Sequence, residues 1–409
     1  MSSKRSVALV SVYAVILLAI VSCSYLLEPA DDHEQDPDII GTWYLVANES
    51  LDQNQRYNRD IDPKYNITVK DEIGNVFTAE SQGIEFCGVR MDGLIMFEYR
   101  FGEDTWIRGN GSIVNGLLVM YETHYYNDDN WFVSMSKYSK NPERLGVSLS
   151  PSPDVQRKWD LRDGQSHYYL SGSPEGYDLQ GRRFFISGMW GDIFRAEMQQ
   201  QVAVPVTTEN PTGIEVTTRL MNGIFVSEHD GIRTAFMLDS SGKMWTLTIQ
   251  DGLAVLRAIV ISDSISTMVV TQRIYFDGIP PAIPDAPDME GTWTSDGSSS
   301  VYGDGTTATA AGNIVIEYKW QEEYLFTGTI DFPPTMTPSG TLPAAGYVAY
   351  DQTAYNGWLI RLGTDLGSSE FKEGYGFLSA DGSSMTAVGF IYDPADGKNG
   401  VVFYEFVKS

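Results

Sequence analysis

The chain has 409 residues, 54 acidic against 28 basic side chains for a net charge of −26, and a hydrophobic content of 42%. That length exceeds one ordinary domain, and that apolar fraction is ample for packed cores. The acidic balance argues against a nucleic-acid partner, because phosphate binding needs clustered Lys and Arg.

At the N-terminus, Lys4 and Arg5 precede an uncharged apolar run from Val7 to Val21, then Ser22-Cys23. This is the layout of an export signal, and the run is marginal in length for a membrane span. The phrase "IVSC" ending at Cys23 resembles a prokaryotic lipobox, which implies that Cys23 is lipidated and becomes residue one, residues 1–23 forming the signal segment. The apolar "YLL" that follows keeps an uncleaved signal anchor as the alternative. Either reading places the chain on the extracytoplasmic face of a membrane, held by a Cys23 lipid or by the N-terminal segment. Residues 24–36 carry Glu28, Asp31, Asp32, Glu34 and Asp36, and read as an acidic tether.

Next comes "PDIIGTW" from Pro37, and the same phrase returns as "PDMEGTW" from Pro287. A gap that wide calls for a middle copy, and "PDVQRKW" from Pro153 supplies it. The marker tryptophans are Trp43, Trp159 and Trp293. Ordered phrases follow the first marker. "GNVFTAE" at Gly74 recurs as "GDIFRAE" at Gly191, with "GDGTTAT" from Gly303 as a weaker third version. "GIEFCGVRMDG" at Gly83 recurs as "GIEVTTRLMNG" at Gly213. The second interval is longer, so unit two carries an insertion, "MQQQVAVPVTTENPT". "IRGNGSI" from Ile107, "LDSSGKM" from Leu238 and "LSADGSSM" from Leu378 share one turn pattern, and the closing segments "VSMSKYSK", "VVTQRIYFD" and "VVFYEFVKS" agree. The expected β-domains are therefore 37–140, 153–277 and 287–409. The segments before the second and third, "NPERLGVSLSPSP" and the four-proline "GIPPAIPDAP", read as linkers.

Within unit one, residues alternate and turns punctuate. In "NVFTAE", Val76, Thr78 and Glu80 share one face, and Phe77 and Ala79 the other. A Met-Asp-Gly turn divides "GIEFCGVRMDGLIMFEYRF" into two strands, and "NDDN" divides "GLLVMYETHYY" from "WFVSMSKYS". Seven or eight strands per unit without an amphipathic helix predict an all-β chain of three tandem antiparallel barrels or sandwiches.

The opening Gly-x-Trp, in "GTWYL" and "GTWTS", ahead of an up-and-down meander resembles the lipocalin-like domains of prokaryotic envelope lipoproteins. The resemblance implies a Trp plugging one barrel end under a basic residue of the last strand, for which Lys137 and Lys408 are candidates. Unit two keeps Trp159 but has Arg157 in place of the glycine.

Signals of chemistry are sparse. His33, His124, His167 and His229 have no metal-ligand spacing, and no nucleophile elbow, P-loop or dinucleotide fingerprint occurs. No catalytic, cofactor-binding or metal residue is assigned. "DPADGKNG", with Asp393, Asp396 and Asn399, has oxygen-rich spacing but reads better as a solvated turn. Glu80 and Glu197 recur, as do Glu85 and Glu215, which suits a solvent-facing strand position better than acid–base work. Cys87 reads as a small buried hydrophobe. Asn48, Asn66 and Asn110 begin glycosylation triplets that matter only in a glycosylating host. The unit-two insertion and "FPPTMTPSGTLPAAG" from Phe332 are the segments suited to partner contact. The reading that results is a monomeric, membrane-tethered, non-enzymatic binding protein for a small apolar or carbohydrate ligand, with at most one repeat keeping a site. A structural or adhesive repeat protein is the alternative, and a hydrolase the least favoured.

Overall fold

The computed structural model describes residues 38–91, 93–102, 105–144, 158–168, 174–176, 182–207, 212–229, 231–250, 252–262, 267–276, 286–322, 324–334, 339–349, 358–365 and 371–409. Cys23, the signal segment and the acidic tether lie outside the described residues. So do Arg157, His33, most of both linkers and part of the proline-rich segment after Phe332.

The first sheet runs β1 (Gly41–Asp52), β2 (Tyr57–Asn58), β3 (Ile67–Ile73), β4 (Val76–Ser81), β5 (Ile84–Met91), β6 (Leu94–Arg100), β7 (Trp106–Val114), β8 (Leu117–Asn127) and β9 (Asn130–Ser139). The second holds β10 (Lys158–Tyr168), β11 (Pro174–Gly176), β12 (Arg183–Trp190), β13 (Ile193–Ala203), β14 (Ile214–His229), β15 (Ile232–Asp239), β16 (Met244–Gln250), β17 (Leu253–Ser262) and β18 (Thr267–Phe276). The third holds β19 (Gly291–Tyr302), β20 (Thr307–Glu322), β21 (Leu325–Phe332), β22 (Gly340–Ala349), β23 (Trp358–Asp365), β24 (Phe371–Leu378), β25 (Ser384–Asp393) and β26 (Lys398–Lys408). Each is an antiparallel meander whose first strand pairs with its last: β1 with β9, β10 with β18, and β19 with β26. Closure leaves no free edge around the eight-strand rings, and the architecture is barrel rather than sandwich. The short β2 and β11 are appended to β1 and β10.

The recurrent glycines mark equivalent turns. Gly74 and Gly191, each at φ 60°, turn β3 into β4 and β12 into β13; Gly83 (φ 79°) and Gly213 (φ 62°) precede β5 and β14. The left-handed backbone there is easy for glycine and strained for most residues. Two of the expected correspondences differ. Gly303 lies in the β19–β20 turn, not at the position of Gly74. The shared phrase at Ile107, Leu238 and Leu378 falls within β7, in the β15–β16 turn and in the β24–β25 turn, which are not equivalent. Short Gly/Ser/Asp turns resemble one another wherever a meander reverses. The unit-two insertion is not simply a loop: Met198 to Ala203 prolong β13, which pairs along its whole length with β14. Val206, Val216 and Leu220 are exposed on that extended hairpin.

The tryptophans close one end of each barrel. Trp43, Trp159 and Trp293 are all but fully buried. Lys408 Nζ lies 5.6 Å from the Trp293 ring centroid, as the resemblance implies. Over Trp43 the structure places Lys140, at 5.3 Å, three residues beyond the Lys137 candidate; Lys137 is buried within β9. A cation over an indole face is favourable. The motif glycine has a steric reason as well. Gly41 (φ 119°) and Gly291 (φ 123°) take conformations that disfavour a side chain, and a Cβ on Gly291 would come to 3.4 Å from the Lys408 stem.

The barrels meet through their outer faces. Leu51, Trp131, Val133 and Met135 of the first pack with Ile193, Ile224, Phe236 and Met244 of the second. Val76, Cys87, Val89 and Met96 of the first pack with Val301, Phe377, Val388 and Val401 of the third. Ile259 of the second joins Leu325, Ala345 and Tyr347 of the third. Two buried asparagines clip these seams. Asn222 Nδ2 donates to the Leu51 and Asp52 carbonyls at 3.0 and 2.8 Å. Asn399 accepts from Arg100 N at 2.7 Å and donates to the Glu85 and Arg100 carbonyls. Asn399 thus has a structural role that a solvated turn would not give it.

An ionic cluster sits where all three barrels approach. Glu98 accepts from Arg108 Nε at 2.6 Å and Arg100 Nε at 2.8 Å. Arg108 also reaches Glu373 at 3.2 Å and Met244 Sδ at 3.1 Å, and Arg361 pairs with Glu373. Burial alone would raise the Glu98 carboxyl, but Arg108 and Arg100 outweigh it and hold it below the usual range.

Candidate functional site

The described interiors of the second and third barrels are filled. Trp159, Phe184, Phe194, Met221, Met237, Trp245 and Leu256 occupy the second. Trp293, Ile316, Tyr318, Phe326, Met385 and Phe406 occupy the third.

The first barrel is different. Its tryptophan end is apolar, but beyond it lies a cavity of about 500 Å³, within the range of small-molecule sites. Strand register explains its lining. Across β8, β9 and β1, Glu122 faces Ser134, which faces Ser50; Met120 faces Ser136, which faces Asn48; His124 faces Phe132, which faces Asp52. Three neighbouring strands therefore turn a polar band inward. Their outward faces, with Trp131, Val133, Met135 and Leu51, are covered by the second barrel.

The band is connected. Glu122 accepts from Ser134 Oγ at 3.1 Å, Ser136 Oγ at 2.5 Å and Tyr138 Oη at 3.2 Å. His124 Nε2 lies 3.0 Å from Ser134 Oγ. A serine hydroxyl has one proton, and here the carboxylate takes it, so His124 Nε2–H is the donor to Ser134. His124 is 4% exposed, and its Nδ1 has no hydrogen-bond partner. The ring stacks on Phe132 at 4.0 Å. Burial first, then the nearby Glu122 charge, push the Tyr99 and Tyr138 phenols up, so both remain proton donors.

Aromatic rings continue from this floor toward the mouth. Phe86 stacks on Tyr99 at 4.6 Å, Tyr99 meets Phe101 at 5.5 Å, Phe101 meets Tyr126 at 6.0 Å, and Tyr126 meets Phe132 at 6.2 Å. The long β1–β3 connection covers the open end. Arg56, Tyr57, Asn58, Asp60, Asp62 and Tyr65 from it line the cavity. Asp62 caps the 3₁₀ turn Pro63–Tyr65, accepting from Lys64 N at 3.1 Å. The cover is held on both sides. Asn66 accepts from Leu45 N at 2.8 Å, and Asn48 donates to the Asp60 carbonyl at 3.0 Å. From the second barrel, Trp190 stacks on Tyr57 at 5.6 Å and Arg195 donates to Gln55 at 2.6 Å. Behind the cover, Glu49 is 1% exposed, with Arg59 the nearest cation at 3.6 Å, and burial raises its carboxyl above the usual range. The third barrel has only a short turn at this place, from Tyr302 to Thr307.

The sequence-singled residues divide clearly. Trp43, Trp159 and Trp293 close barrel ends, and Gly74, Gly191, Gly83 and Gly213 make turns; none of the seven lines the cavity. Glu80 and Glu85 flank Lys70, at 2.9 and 2.6 Å. Cys87 is buried in the seam between the first and third barrels, donates to the Val301 carbonyl at 3.3 Å, and has its thiol pushed up to about 12 by burial, then by Asp304. Of the glycosylation triplets, Asn48 and Asn66 are tied into the cover and Asn110 is buried. Among the described residues no group of His, Cys, Asp and Glu has the arrangement of a metal site. No helix among them is long and apolar enough to cross a membrane. A groove of about 620 Å³ by Asp288, Trp358, Asp381 and Lys408 is open to solvent and presents no buried polar group.

Sequence reasoning missed Glu122, His124, Ser134 and Ser136. The signal was present as alternation: Glu122 and His124 on one face of "LLVMYETHYY", Ser134 and Ser136 on one face of "WFVSMSKYS". Polar faces of strands ordinarily point to water. Here the second barrel takes the apolar faces and turns the polar ones in.

No protein-family model matches the chain, and a search of curated proteins found no significant match. Among solved structures, transferrin binding protein B of Haemophilus parasuis, as a Trp-176-Ala mutant, is similar at 7% identity and a TM-score of 0.21, over 91% of this chain and 77% of that one. The isotype 1 protein of Neisseria meningitidis is similar at 10% identity and a TM-score of 0.20, over 87% and 61%. Intact Ap-TbpB, with N and C lobes, is similar at 8% identity and a TM-score of 0.20, over 90% and 77%. A likeness at this level says nothing about a ligand of this chain.

Proposed function

We propose that this chain is a non-enzymatic, extracytoplasmic binding protein, tethered to a membrane through Cys23 or the N-terminal apolar segment, that holds one small polar ligand inside its first barrel. The observation that carries the reading is the contrast of interiors: a roofed cavity of about 500 Å³ in the first barrel, beside described interiors filled by apolar side chains in the other two. The polar band with aromatic faces suits a hydroxyl-bearing body such as a carbohydrate better than an apolar one. Export rests on the N-terminal sequence pattern alone.

Catalysis is disfavoured by the hydrogen-bond order. Ser134 donates its hydroxyl hydrogen bond to Glu122, so His124 is not positioned as its base, and no third group orients the imidazole at Nδ1. The spacer alternative is disfavoured by the seams, because repeats that pack sideways on one another do not extend reach.

A thermal-shift screen of small sugars and polyols, repeated on Ser136→Phe, tests the reading. Stabilisation of the native chain that Ser136→Phe loses is the expected result. Stabilisation retained by that variant would move the ligand out of the barrel.

A further inference from the structure

The cavity floor is rich in acceptor oxygens. Glu122 is 5% exposed and accepts three hydroxyls, and the neighbouring His124, 4% exposed, keeps its Nδ1 buried without a hydrogen-bond partner. Asp52, Asp60 and Asp62 line the same space nearer the mouth. Of these four carboxyl groups Asp62 pairs with Lys64 at 2.9 Å, and Arg56, exposed at the cover, is the one Lys or Arg among the described lining residues. The nearest nitrogen to Glu122 that can carry charge is His124 Nε2, at 3.8 Å. A buried carboxylate without a cationic partner is costly, and a ligand that supplies the cation relieves that cost. The rings of Tyr99, Phe132 and Tyr138 around it also favour a cation over a neutral group.

The comparison inside the molecule sharpens the point. At the ionic cluster between the barrels, each buried carboxylate has an arginine: Glu98 has Arg108 and Arg100, and Glu373 has Arg361 and Arg108. Glu122 is as buried as Glu98 and has none in the described cavity wall. The missing partner is accounted for if it arrives with the ligand.

We propose that the first barrel selects a ligand bearing a protonated amine, carried on a small hydroxyl-bearing body, with the ammonium group placed against Glu122. This rests on the reading of the first barrel as a ligand site and adds the class of ligand to it.

The test uses matched pairs that differ in one group. Glucosamine against glucose, and galactosamine against galactose, are titrated into the full chain by calorimetry at one salt concentration. The expected result is binding of an amine at least about tenfold tighter than its neutral partner, with that ratio collapsing in Glu122→Gln. If Glu122→Gln does not fold, Asp52→Asn at the mouth replaces it and lowers the ratio by a smaller factor. Equal binding of neutral and amino sugars overturns the amine assignment and leaves the cavity as a ligand site. A preference that survives Glu122→Gln overturns it as well. Absence of binding by all four sugars overturns it too, and the Ser136→Phe screen then decides separately whether the cavity binds anything.

Discussion

The first and third barrels share closure, a Gly-x-Trp opening and a lysine over the indole, yet one keeps a polar cavity and the other's described core is apolar. The difference lies in which faces are covered. In the third barrel, Met385, Ala387 and Phe406 of the closing strands point in and fill the interior. In the first, the corresponding strands send Glu122, His124, Ser134 and Ser136 inward, while Trp131, Val133 and Met135 are buried against the second barrel. A packed neighbour lets a strand reverse the usual order, because the apolar face no longer needs the barrel's own core. The second barrel thereby acts as support for the first, through that seam, through Asn222 and through its grip on the β1–β3 cover.

The largest effect that separates the two comes from the filled side. Trp293→Ala should cost roughly 3–5 kcal/mol of stability by leaving a core void, with ligand affinity unchanged; Ser136→Ala should leave the melting temperature within a few degrees and weaken the ligand. Denaturant melts and titrations on both variants check this. Next, Arg108→Met should cost roughly 3–5 kcal/mol, because it strips a cation from a buried cluster that joins all three barrels. Smaller again, Asn222→Ala should cost roughly 1–3 kcal/mol by stranding two carbonyls. It should also speed amide exchange across residues 53–66, whereas Asn399→Ala should cost a similar amount and leave that segment's exchange unchanged. Equal exchange in the two variants would remove the second barrel's role in holding the cover.

Acid separates Glu98 from Glu49. The Glu98 carboxyl is lowered from 4.5, so its contribution is fully present above that value and is lost as pH falls through the lowered one. Glu98→Gln should therefore lose stability at neutral pH, with the deficit shrinking in acid. The Glu49 carboxyl is raised, so its contribution is present below 4.5 and lost as pH rises through the raised value. Glu49→Gln should accordingly gain on the native protein as pH rises, the opposite trend. Melts across pH 3 to 8, a window of about that width around the carboxylate range, read both. The smallest effect is chemical: Cys87, with its thiol up to about 12, should resist alkylation in the folded chain and react on unfolding.

Much of the fold was legible in the sequence. Alternation and Gly-centred turns gave the all-β meanders, and the recurring Trp43, Trp159 and Trp293 located three barrel ends. Closure itself was not legible, since a meander of eight strands is compatible with a sandwich until β1 meets β9. The site was legible only in part. Glu122 and His124 sit two apart on one strand face, but their direction depends on a neighbour more than a hundred residues away, such as Phe236 against Val133. Local patterns carry no information on that. The same limit explains Asn399, whose partners Glu85 and Arg100 lie in another barrel.

The central claim is that the first barrel takes the ligand in its cavity, under its β1–β3 cover. A crystal structure of the chain soaked with glucosamine tests it most directly. The account expects density inside the first barrel, within hydrogen-bond distance of Glu122, and none inside the second or third. A first barrel collapsed and filled like the others, or sugar density only on the outer surface, would contradict it.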